Sequence, residues 1–147
     1  MTDHVVLRVI GKLMIPFILL YGLYVQAHGD FGPGGGFQAG VIVAAGIILY
    51  GLIHGVSATQ RVVPARLVEI LAATGVLVYA SVGSVTLLLG GNFLAYGVLD
   101  PHDPAHGQHL GVFLVELGVG VAVASVMLAI FYAFAARAPV TPGPGGR

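Results

Sequence analysis

The residue of this 147-residue chain best suited to chemistry is a carboxylate inside an apolar stretch, Glu116. It lies some six residues into a run of Val, Leu, Gly and Ala extending from about Leu110 to Phe134. Placing a charge in lipid costs on the order of 3 kcal/mol, so an intramembrane ionisable group points to function by default. Low dielectric favours the neutral acid, and such a group can take up and release protons. On a helix Glu116 shares a face with His109, Gly120 and Val123. Two readings stand: a member of a proton relay, or a neutral packing residue that donates one hydrogen bond to a neighbouring helix.

Three further sets of residues carry chemical potential. His28 opens the stretch His28-Gly29-Asp30-Phe31-Gly32-Pro33-Gly34-Gly35-Gly36-Phe37. Consecutive glycines permit positive φ and close backbone approach, so Pro33, Gly34, Gly35 and Gly36 are expected to form a tight structural turn; contact of His28 with a translocated ion or proton is the alternative. No phosphate-loop Lys follows, which argues against a nucleotide site. Glu69 stands three residues after Arg66, a spacing that suits a local ion pair, with proton uptake as the other reading. His102, His106 and His109 have spacings of four and three, but Pro101, Pro104 and Gly107 interrupt them. We read these histidines as a polar loop and expect no metal site.

These residues must be positioned by elements that live in lipid. Of the residues 57% are hydrophobic and 8% charged, against about 25% charged in soluble proteins, so lipid must be the solvent. Four apolar runs, about 5–27, 37–54, 67–89 and 110–134, each approach or exceed the length needed to cross a core of roughly 30 Å. They are continuous instead of alternating, which predicts helices and not a barrel. The first run, which carries Arg8 and Lys12 near its start, superficially resembles a signal peptide; without a small-x-small cleavage site it is read as a retained helix. The expected fold is therefore an all-α integral membrane protein of four transmembrane helices spanning residues 1–137, multi-pass in the cell membrane, with a short disordered cytoplasmic tail over 138–147.

Arg8, Lys12, Arg61, Arg66, Arg137 and Arg147 all fall at the N-terminus, between the second and third runs, or after the fourth. The positive-inside rule then predicts both termini to be cytoplasmic. Six basic and six acidic residues give no net charge and no basic surface for nucleic acid. Cysteine is absent, which excludes disulfides and thiol chemistry. Glycine is abundant, at 23 residues, and forms stripes: Gly36, Gly40, Ala44, Gly51 and Gly55 on the second helix, Gly111, Gly118, Ala122, Ser125 and Ala129 on the fourth. Small-residue stripes are faces on which membrane helices approach closely, here within the chain or with partner subunits. Pro16 should kink the first helix.

The phrase Pro16-Phe17-Ile18-Leu19-Leu20-Tyr21-Gly22-Leu23-Tyr24, then His28-Gly29, then Pro33-Gly34-Gly35-Gly36-Phe37-Gln38-Ala39-Gly40, resembles the MrpB/MnhB-like subunits of Mrp-type multisubunit sodium/proton antiporters. Gly111 to Gly120, with Glu116 between glycines, resembles the family's glycine-flanked glutamate, and Glu69 falls where the family has a third-helix glutamate. The similarity covers most of Ile10 to Phe134 and is weakest from Gly91 to His109. It implies a small four-helix subunit, without enzymatic activity or cofactor, in a hetero-oligomeric assembly that exchanges internal sodium for external protons. The subunit would contribute to assembly; an ion or proton path through it does not follow from the resemblance, and Glu116, Glu69 and His28 are its candidate residues. The alternatives are a membrane subunit of an ion-pumping hydrogenase-type complex and a purely structural assembly subunit.

Overall fold

The computed structural model describes residues 3–29 and 34–136. Pro33 of the expected turn and the tail over 138–147 lie outside the described residues. The described chain is all-helical, with four helices long and apolar enough to cross a membrane: α1 (Asp3–His28), α2 (Gly36–His54), α4 (Ala65–Leu88) and α5 (Pro104–Ala136). A short helix α3 (Val56–Val62) links α2 to α4, and a single 3-10 turn, Tyr96–Leu99, interrupts the connection from α4 to α5.

The spanning helices do not close into a bundle. α1 packs on α2, α2 on α5 and α5 on α4, so they stand in a row ordered α1, α2, α5, α4. Small residues decide this order, because apolar side chains gain little from one another when lipid is equally apolar. Gly36, Gly40 and Gly51 of α2 face α5, while Gly75 of α4 lies against the backbone of Gly118 and Ala122. Both glycine stripes are thus used inside the chain. The surface turned outward is large and apolar, as at Phe17, Leu20, Leu77 and Phe134.

α2 and α5 differ in length, and this shapes the molecule. At 1.5 Å per residue, 19 residues give α2 roughly 28 Å, while 33 residues give α5 roughly 50 Å. The start of α2 meets α5 at Glu116, so the first three turns of α5 rise beyond the end of α2. The connection from α4 wraps this projecting part as a collar. Gly107 lies against Asp100 and the Tyr96 carbonyl, and Gly111 against the Tyr96 ring. Burial pushes the Tyr96 phenol above its ordinary range, with Tyr79 adding to the effect.

Two local features depart from the sequence reading. α5 begins at Pro104, six residues before the apolar run, so His106 and His109 are helical and only His102 is in the loop. The cause is a cap: the Asp103 carboxylate accepts the N–H groups of Ala105 and His106 at 3.1 and 3.2 Å. Proline is tolerated at a first helical position because its missing N–H would have no partner there. The segment after α2, expected from its place between two apolar runs to be a loop, turns at Gly55 (φ 90) and re-enters a helix, α3. There Thr59 is fully buried, and the Tyr132 hydroxyl donates to the Val63 carbonyl at 2.8 Å. Val68, Leu128 and Tyr132 form the apolar core at this end of the row. α1 continues as one helix through Pro16.

Candidate ion or proton site

α1 ends at His28, and α2 starts at Gly36. The residues flanking this connection close on the carboxyl group of Glu116. A side chain at Gly35 would place its Cβ 2.8 Å from Glu116 Oε1 and 3.3 Å from the carboxyl carbon. One at Gly29 would run into Oε2, and one at Gly36 into the Glu116 main-chain carbonyl. Gly35 also has φ 126, a conformation that side chains rarely adopt. The carboxyl is thus held in a mouth of bare backbone, with Gly29 at Oε2 and Gly35 at Oε1. Only glycine leaves the room.

Glu116 itself is partly buried. Its position on α5 is set by the run of contacts below it: Gly40 would meet the Gly120 carbonyl at 2.6 Å and Val123 Cβ at 2.9 Å if it had a Cβ. The face carrying Glu116, Gly120 and Val123 therefore belongs to α2, and the face carrying Gly118 and Ala122 to α4. A carboxyl so enclosed can bind and release a proton. Among the described residues no group of three or more His, Asp or Glu is arranged to hold a metal ion.

The other sequence candidates separate. His28 is exposed at the end of α1, with its ring stacked on Tyr24 at 5.4 Å between centroids; it adjoins Gly29 and so borders the mouth. Glu69 is exposed on α4, next to Val68, which packs against Leu128. Leu128 is twelve residues beyond Glu116, so Glu69 stands roughly 18 Å away along α5 and is not part of the mouth. The histidine set divides as well. His106 Nδ1 lies 3.1 Å from Asp100 Oδ2, and Asp100 Oδ1 accepts the N–H groups of His102 and Asp103 at 3.1 and 3.2 Å. The Asp103 N–H, followed by His106, holds the Asp100 carboxyl below its usual range. This cluster belongs to the collar.

One polar residue escaped the sequence reading. Gln26 of α1 turns its side-chain amide onto Gly120, one turn along α5 from Glu116. The available signal was its polarity inside the first apolar run, next to a conspicuous His28.

The profile of a family described as a domain related to the MnhB subunit of Na+/H+ antiporter matches residues 6–129. Among curated proteins, the chain is 30% identical over 133 residues to a Staphylococcus haemolyticus protein named as an antiporter subunit, mnhB2, covering 89% of this chain and 94% of that one. A Staphylococcus aureus (strain Newman) protein of the same name is 32% identical over 130 residues, 87% of this chain and 92% of the relative. A Bacillus subtilis protein named as a Na(+)/H(+) antiporter subunit is 27% identical over 131 residues, 83% of this chain and 91% of the relative.

Proposed function

Because this chain belongs to the family of MnhB-related antiporter subunits, we propose that it is the small membrane subunit of a multisubunit complex exchanging internal sodium for external protons, in which Glu116 accepts and releases a proton. The chain is a multi-pass protein of the cell membrane. Its relatives are named as antiporter subunits, and its partners are accordingly the other membrane subunits of such a complex. The distribution of basic residues supports cytoplasmic termini, an orientation that turns the glycine mouth and the collar outward. External protons then reach Glu116 from the side on which α1 ends and α2 begins.

The observation that carries this reading is the enclosure of the Glu116 carboxyl by Gly29 and Gly35. A packing residue needs only a neighbour that accepts a hydrogen bond. Here two glycines give up their side chains around one carboxyl and a third, Gly36, gives way to the Glu116 main chain, which keeps the group against backbone where apolar side chains would otherwise cover it. His28 borders the mouth on its outer side and is proposed to lie on the approach to it. Glu69, near the opposite end of the row, is proposed to serve the cytoplasmic side, separately from the mouth.

Glu116→Gln tests the proposal, because it keeps shape and hydrogen bonding and removes titration. The assembled complex should form in normal amount, while sodium/proton exchange in everted vesicles falls and its pH profile changes. Exchange at the unmodified rate across the pH range, with assembly intact, would leave Glu116 as a packing residue.

A further inference from the structure

Gly120 is one turn from Glu116 along α5, and the Gln26 amide occupies the space that a side chain there would fill. A Cβ at Gly120 would stand 2.5 Å from Gln26 Oε1 and 3.1 Å from the Gly36 carbonyl oxygen. The other end of that amide, Nε2, is sealed from solvent and has no hydrogen-bond partner among the described residues. A buried donor left unmade carries its full desolvation penalty, and native structures rarely keep one without a reason. Alanine or leucine would fill this position without that penalty.

The surroundings narrow down what could accept from Nε2. The groove beside it, about 190 Å³, is lined by Gly22, Leu23, Ala39, Gly40, Val43 and Leu117 among others, and among the described residues Gln26 is its only polar side chain. Within α2 no ionisable residue occurs before His54 at its far end, apart from the Tyr50 phenol one turn earlier. α1 brings His28, just before Gly29, and α5 brings His109, about two turns above Glu116. The carboxyl nearest to hand on the same face is Glu116, and side chains four apart on a helix are neighbours. A change of rotamer by one glutamate spans such a gap.

We propose that Gln26 is a second, inner station for the Glu116 carboxyl, which moves between the glycine mouth at Gly29 and Gly35 and the Gln26 amide about one helical turn deeper. In the inner position Nε2–H donates to a carboxyl oxygen. A hydrogen bond of this kind is stronger to the carboxylate than to the neutral acid, so the station stabilises the group after its proton has left. No covalent bond changes; one side chain rotates and one hydrogen bond forms. Gln26 is thus a positioning residue, and Gly120 is a glycine because the amide must reach past it. This inference rests on the reading of Glu116 as the proton-accepting group.

The test is a double-mutant cycle in vesicles containing the assembled complex. Gln26→Leu keeps the bulk and removes the amide. It should lower exchange about tenfold, the weight of one hydrogen bond to a charged group, and shift the pH profile, while adding nothing in a Glu116→Gln background. Gln26→Asn retains an amide on a shorter stem and should recover part of the rate; if Gln26→Leu impairs assembly, a partial loss with a shifted pH profile in Gln26→Asn carries the test. An unchanged rate and profile in the assembled variant, or an equal loss with and without Glu116, overturns the station. If Glu116→Gln alone reduces exchange while the Gln26 variants are silent, the station fails and the proton site stands. If Glu116→Gln is itself without effect, both fail.

Discussion

α5 makes two seams with the same device and different contents. Against α4, Gly75 and Gly118 oppose each other, with a Cβ on either standing 2.5–2.8 Å from the other's carbonyl oxygen. Against α2, Gly36 and Gly40 make the same kind of approach to Glu116 and Gly120. The α4 seam holds close backbone at Gly75 and Gly118 and apolar packing, as of Val68 on Leu128. The α2 seam includes a carboxyl and, one turn on, an amide from α1. Close backbone approach is therefore a general means of joining these helices, and a polar site arises only where the approach happens at a chain connection. At such a connection the backbone turns away, and the space left is lined by main-chain groups.

The comparison predicts different consequences for similar substitutions. Gly118→Leu should have the largest effect. It forces a branched side chain against the Gly75 carbonyl and the Tyr79 amide nitrogen, and overpacking of this kind costs on the order of 3 kcal/mol. The expected outcome is loss of the subunit and of the assembled complex, read by native gel electrophoresis of membranes. Gly35→Val should act differently. The left-handed conformation costs a side chain roughly 1–3 kcal/mol, and the new Cβ presses on the Glu116 carboxyl. Exchange should then fall further than the amount of complex, whereas His28→Ala should be milder on both counts. If Gly35→Val and Gly118→Leu lower assembly and exchange in the same proportion, the two seams do not differ in kind.

The smallest effect is expected at the collar, away from both seams. Asp100 is held below its ordinary range by backbone N–H groups and His106, so its contribution is complete above the unfolded value of about 3.9 and is lost as pH falls through the lower folded value. Asp100→Asn should raise hydrogen exchange at the His102 and Asp103 amides at neutral pH by a few fold, an order of magnitude in keeping with single exposed hydrogen bonds. The difference from the unmodified chain should close below roughly pH 4. Antiport and assembly should be unaffected. A loss of antiport in this variant would mean that the collar takes part in the site.

Much of the site was legible residue by residue. Glu116 stands out by cost, since a carboxylate in lipid is expensive, and the glycine run by its freedom of backbone. What the residues did not disclose is that the two meet, because eighty residues of chain separate Gly36 from Glu116 and no local pattern encodes the encounter. Gln26 was overlooked for a related reason. One amide near the end of an apolar helix reads as interfacial, and only its contact with Gly120 shows it turned inward. Likewise the apolar run marks what lipid covers but not where a helix begins, so the Asp103 cap and Pro104 extended α5 beyond it.

The sequence by itself determined four apolar spans and membership of the antiporter-subunit family, because length, hydropathy and motif are properties of the chain taken in order. Only the tertiary structure decided the order of neighbours in the row, the pairing of Gly36 with Glu116 and of Gly75 with Gly118, and the position of Gln26. In lipid the helices are apolar on every side, so hydrophobicity does not say which face turns inward. α5 carries small residues on two faces, and which one receives α2 and which α4 depends on how closely each pair of backbones can pack.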